Sequence, residues 1–96
     1  MKNDIILSSM AMDFKRVALG YYRGSHRMAD RFLQEALKRK NELDKKTIKP
    51  YLLNILNNIE RHLGTKNDQE KAERFLMYGT LVQNYVLKKN EFELQL

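Results

Sequence analysis

One apolar stripe, running from residue 7 to residue 36, constrains this chain more than any other feature. Leu7, Ala11, Phe14, Ala18, Tyr21, Ser25, Met28 and Phe32 recur at alternating spacings of four and three, which is the repeat of a single helix face. Tyr22, Ala29, Leu33 and Ala36 widen the stripe to about half of the helix circumference. Opposite it, Arg16, Arg23, Arg27, Arg31 and Lys38 fall within an arc of roughly 80°, at about 100° per residue. The oily side must be covered by other parts of the fold. The basic side is the strongest binding signal in the chain.

Gly20 and Gly24 interrupt this region, bracketing Tyr21, Tyr22 and Arg23. Gly24 followed by Ser25 reads as a helix stop and a new N-cap, which gives two helices of ordinary length. The alternative is one continuous helix to Leu43, because the stripe keeps its phase through Ser25. At 1.5 Å per residue that helix would be about 60 Å long and would need a dimer to cover it. The reading adopted is a break, with the two glycines as hinge or turn residues.

The rest of the chain is also helical. It holds one Pro and four Gly, and strand-like alternation is confined to Glu91–Leu96, a segment that either frays, continues the last helix or docks on a neighbour. The fold class is therefore all-α, a small antiparallel bundle of three to four helices in one domain spanning 1–96. Helices are expected near 4–23, 25–43, 49–63 and 68–90, the first two either separate or fused into one. Asn3 or Asp4 would cap the first, and Thr47 the third, with Pro50 in its first turn and Gly64 closing it. Thr65 to Asp68 is the second clear turn, and Asn67 with Glu70 resembles a capping box for the last helix. That helix has two apolar stripes, one through Ala72, Phe75, Leu76, Gly79, Val82, Gln83 and Val86, the other through Tyr78, Leu81 and Tyr85. So wide a surface places it at the centre of the bundle. The expected core is Phe14, Ala18, Met28, Phe32, Leu52, Ile55, Leu56, Ile59, Phe75, Leu76 and Val82.

A chain of 96 residues buries only about 60 to 65% of its unfolded surface, so a subunit partner would add to a thin core. Cysteine is absent, which excludes disulfides and thiolate zinc sites. No apolar run approaches the roughly 18 residues of a membrane span, and residues 1–12 lack the pattern of a signal peptide. The expected setting is soluble and cytoplasmic. The net charge of +6 is uneven. Residues 1–48 carry eleven basic and six acidic side chains, against seven and six in 49–96, so the excess sits in the half with the basic stripe, as a polyanion-binding surface requires.

Catalytic chemistry finds little support. His26 and His62 are far apart in sequence, and neither belongs to a metal-ligand motif. Asp13, Asp30 and Glu35 alternate with Arg16, Arg31 and Lys38 at spacings of surface ion pairs, as do Glu70, Glu73 and Arg74. Arg61 and His62 are adjacent and so point about 100° apart on a helix. No Gly-rich loop, nucleophile elbow or di-iron motif is present. No catalytic residue, cofactor, metal or small-molecule substrate is assigned.

Two functions remain. The first is a non-enzymatic helical interaction or assembly module, a homodimer or a partner of another protein. The second is a nucleic-acid-associated protein that follows a phosphate backbone through Arg16, Arg23, Arg27, Arg31 and Lys38. Tyr21 and Tyr22 would stack on bases only if exposed, and their place on or beside the apolar stripe assigns them to the core. A helix-turn-helix with specific base readout is not expected.

Overall fold

The computed structural model describes residues 2–64 and 66–95, with side chains described for 2–61, 63, 64 and 66–88. Five α-helices are found among these residues: α1 (Lys2–Tyr22), α2 (His26–Asn41), α3 (Pro50–Asn57), α4 (Ile59–Leu63) and α5 (Asp68–Gln95), with a 3-10 turn at Lys45–Thr47 before α3. The fold is the expected small all-α bundle. The described chain contains no strand.

The stripe is broken at Gly24. Its φ of +69° is left-handed, a conformation open to glycine at little cost. The amide of Gly24 donates to the Tyr21 carbonyl at 3.1 Å and that of Ser25 to the Gly20 carbonyl at 2.8 Å, a Schellman closure of α1. The Ser25 hydroxyl then accepts from the Met28 amide at 3.2 Å and starts α2. On α2 the buried face runs through Ala29, Leu33 and Ala36, beside the line of Ser25, Met28 and Phe32, which is only partly buried. Gly20 has a different role from the expected hinge. A Cβ there would lie 2.6 Å from the Ala29 backbone nitrogen, so the missing side chain lets α1 and α2 close together.

The chain returns along α5, antiparallel to α1. Phe14 packs on Phe75 and Tyr78 with ring centroids 5.9 and 6.1 Å apart, and Tyr21 stacks on Phe75 at 6.1 Å. The organising helix is therefore α1, flanked by α2 and α5, not the last helix. Leu52, Leu56, Ile59 and Leu63 of α3 and α4 complete the same core, and Tyr51 of α3 meets Tyr85 of α5 at 6.1 Å. Phe14, Ala18, Leu52, Leu56, Ile59, Phe75 and Val82 are buried as expected, whereas Phe32 and Ile55 are only partly buried. Met28 is half-buried. Leu76 is 40% exposed, because it lies on the outer edge of the α5 stripe, past its contact with α1. Leu81 is exposed as well.

Three ends differ from the sequence expectation for identifiable reasons. Asn3 is not a cap but a buried clasp inside α1. Its amide nitrogen donates to the Asp44 carbonyl and the Thr47 hydroxyl, both at 2.9 Å, and its carbonyl oxygen accepts from the Asp44 amide at 2.9 Å. Thr47 is thereby used in this clasp, and α3 begins after Lys49 with Pro50 at its start and no side-chain cap. The expected helix 49–63 is interrupted at Asn58, whose side-chain amide donates back to the Asn54 carbonyl at 2.7 Å and the Asn54 side-chain oxygen at 3.0 Å. Such back-bonding competes with the helix ladder. The half of the capping box in which Asn67 accepts from the Glu70 amide is present, at 2.9 Å. Backbone helix continues through residue 95; the side chains of the alternating segment Glu91–Leu96, and Thr65 of the second turn, lie outside the described residues.

Candidate interface and basic patch

Helix α1 is buried on its inner side and on both flanks, which leaves one narrow strip facing solvent. Three large apolar side chains occupy that strip: Ile5, Met12 and Leu19, 69, 54 and 39% exposed. They are seven residues apart, so they fall in line along about 21 Å of helix. On α5, the exposed Leu76 and Leu87 share a face with Gln83, at offsets of seven and eleven from Leu76. Met12 and Leu87 line a groove of about 200 Å³ between the two helices. The Lys15 ammonium donates to the Gln83 side-chain oxygen at 2.7 Å, and both side chains line the same groove as Met12 and Leu87. This apolar line was not singled out from the sequence. Its seven-residue spacing is visible there but is masked by the longer stripe beside it.

Because the chain folds back at Gly24, the basic residues do not form one straight line. Arg27, Arg31 and Lys38 lie on the exposed outer side of α2, and Arg23 is exposed at the α1–α2 turn. Arg16, on α1, and Arg31, on α2, each lie against the Phe32 ring, their guanidinium carbons 5.4 and 5.6 Å from its centroid. Cations at these distances are attracted by the ring quadrupole. Arg16 is also 3.6 Å from the Asp13 carboxylate, and Arg39 donates to the other Asp13 oxygen at 3.0 Å. Asp13 is buried; burial pushes its carboxyl above the usual range, the hydrogen bond and charge of Arg39 and the charge of Arg16 oppose that rise, and Glu35 adds to it. Of the two tyrosines, Tyr21 is buried and Tyr22 is 54% exposed.

A third polar cluster closes the turn end of the bundle. His26 Nε2 is 2.7 Å from an Asp68 carboxylate oxygen, linking α2 to α5. The His26 ring meets Tyr21 edge-on at 5.9 Å, and the Lys71 ammonium lies 5.5 Å from the Tyr21 centroid. Burial raises the Tyr21 hydroxyl above its ordinary range, with Asp30 and Asp68 adding to the effect. Among the described residues, no three His, Cys, Asp or Glu side chains gather into a metal-holding group. The His62 side chain lies outside the described residues, and with it the Arg61–His62 pair.

Comparison of the chain with protein-family models, curated proteins and solved structures finds no match. No helix among the described residues is long and apolar enough to cross a membrane.

Proposed function

We propose that this protein is a non-enzymatic helical assembly module that works as a homodimer. The observation that carries this reading is the apolar solvent strip of α1, Ile5, Met12 and Leu19, on the helix around which the rest of the fold is packed. Sedimentation equilibrium over a dilution series is expected to give a mass near twice 11.5 kDa at high protein concentration, falling toward one chain on dilution. A mass of one chain at every concentration overturns the homodimer.

A second reading, nucleic-acid association, is favoured by one observation: Arg16 and Arg31, from different helices, both lie against the Phe32 ring while Arg27, Arg31 and Lys38 are exposed on the outer side of α2. Contacts of this kind address phosphates rather than bases. Replacing Arg23, Arg27 or Arg31 with Ala should weaken binding of labelled oligonucleotides to a similar degree for every sequence. Each replacement should lower the slope of log affinity against log salt by about one. Fluorescence anisotropy between about 50 and 200 mM salt reads both effects; absence of binding at the low end removes this reading.

A further inference from the structure

We infer that the 3-10 turn and the outer face of α3 bind single-stranded nucleic acid, with the lysines of the turn on phosphates and Tyr51 stacked under a base. This surface uses neither the α2 arginines nor the apolar strip of α1. Lys45, Lys46 and Lys49 are exposed, and among the described residues none of them forms an ion pair. No acidic residue lies between Asp44 and Glu60. The Asp44 carboxylate itself accepts from the Lys46 amide at 3.2 Å and caps the turn. Three ammoniums are thus offered to solvent within five residues of chain.

The backbone that carries them is fixed at several points. Asn3 grips Asp44 and Thr47 through three bonds of 2.9 Å, and Leu43 and Ile48 are buried on either side of the turn. The Lys49 amide donates to the Tyr85 hydroxyl at 3.1 Å. Tyr85 in turn meets the Tyr51 ring edge-on at 6.1 Å, so Tyr51, 56% exposed, is braced as a platform. Groups held in place before a ligand arrives lose less freedom on binding it. The exposed neighbours of Tyr51 along α3 are Asn54 and Asn57. The Asn54 side-chain oxygen already accepts from Asn58 at 3.0 Å, which leaves its amide nitrogen to donate to an acceptor on a base.

A single strand matches both halves of this surface, because phosphates answer the lysines and an unstacked base answers the ring. The bases of a duplex are already stacked on one another and offer Tyr51 no free face. An anionic bilayer would also attract the lysines. Tyr51 is, however, the one exposed large hydrophobic among residues 44–57, and an interfacial helix buries a whole apolar face.

The test is fluorescence anisotropy with a fluorescein-labelled oligothymidylate of about 12 nucleotides, within the size range of single-strand sites. Tyr51→Ala is expected to weaken binding about 5- to 150-fold, the worth of one stacked base, and Tyr51→Phe to keep the wild-type affinity. Lys45→Ala, Lys46→Ala and Lys49→Ala are each expected to lower the slope of log affinity against log salt by about 0.7. All four positions are exposed, so helical circular dichroism of each variant should match wild type. Binding that ignores Tyr51 and the three lysines but falls with Arg27→Ala and Arg31→Ala overturns this site and leaves the α2 reading standing. A duplex of the same length bound as tightly as the single strand overturns it as well. Uptake on phosphatidylserine vesicles without oligonucleotide binding overturns it in favour of a lipid surface. No binding of the oligonucleotide or of a duplex at about 50 mM salt removes this site and the α2 reading together, and the homodimer is untouched by any of these results.

Discussion

Replacing Phe14 with Ala is expected to cost the fold about 3 to 5 kcal/mol. The ring is fully buried and sits between α1 and α5, with Phe75 at 5.9 Å and Tyr78 at 6.1 Å. Truncation loses the transfer energy of the ring and the aromatic contacts on both sides, and it leaves a cavity that stiff helices cannot collapse. Small domains have about 5 to 15 kcal/mol in total, so the loss is a large part of the whole. Each kcal/mol moves the melting temperature of a domain this size by about 4 to 8 °C. Urea denaturation of the variant should show a much lower midpoint. Leu76→Ala, at a 40% exposed position, serves as the comparison and should lose far less. Equal losses at the two positions would contradict the assignment of α1 against α5 as the centre of the core.

Gly20→Ala is expected to destabilise the protein by about 2 kcal/mol, although Ala is the better helix former by about 1 kcal/mol. The reason is the distance across the hairpin. The new Cβ would sit 2.6 Å from the Ala29 nitrogen and 3.0 Å from its Cα. These are backbone atoms, so relief requires α1 and α2 to move apart. Overpacking of this kind costs about 1 to 3 kcal/mol, and the separation also loosens Ala29 and Leu33 against α1. Thermal melting followed by circular dichroism reads the sign directly. A variant more stable than wild type would show that the two helices do not approach as closely as described.

The sequence carried the helical class, the break at Gly24 and most of the core, because periodicity and glycine chemistry act locally. It did not show what depends on where helices meet. Leu76 has the right spacing for the core, but α1 covers only the neighbouring stripe. Asn3 looks like a cap from local chemistry, yet it is drawn inside by Asp44 and Thr47 more than forty residues away. Asn58 stops a helix through its bond to Asn54, a choice between two local patterns that apolar spacing does not report. Of the candidate basic residues, the placement of Arg16 and Arg31 against one ring, that of Phe32, follows from the hairpin and is invisible in a linear stripe. The line of Ile5, Met12 and Leu19 is legible only once the flanks of α1 are known to be covered.

The central claim is that the outer strip of α1 joins two copies, and one substitution addresses it without disturbing the core. Met12→Lys puts a charge at a position 54% exposed in the single chain, where an ammonium is tolerated, but in a contact made through this strip it would bury an unpaired charge. Sedimentation equilibrium of Met12→Lys beside wild type at one concentration is the measurement. The expected outcome is a wild-type dimer and a variant of 11.5 kDa with unchanged helical circular dichroism and little change in melting of the single chain. A variant that remains dimeric at the wild-type concentration dependence would place the contact elsewhere and contradict the account.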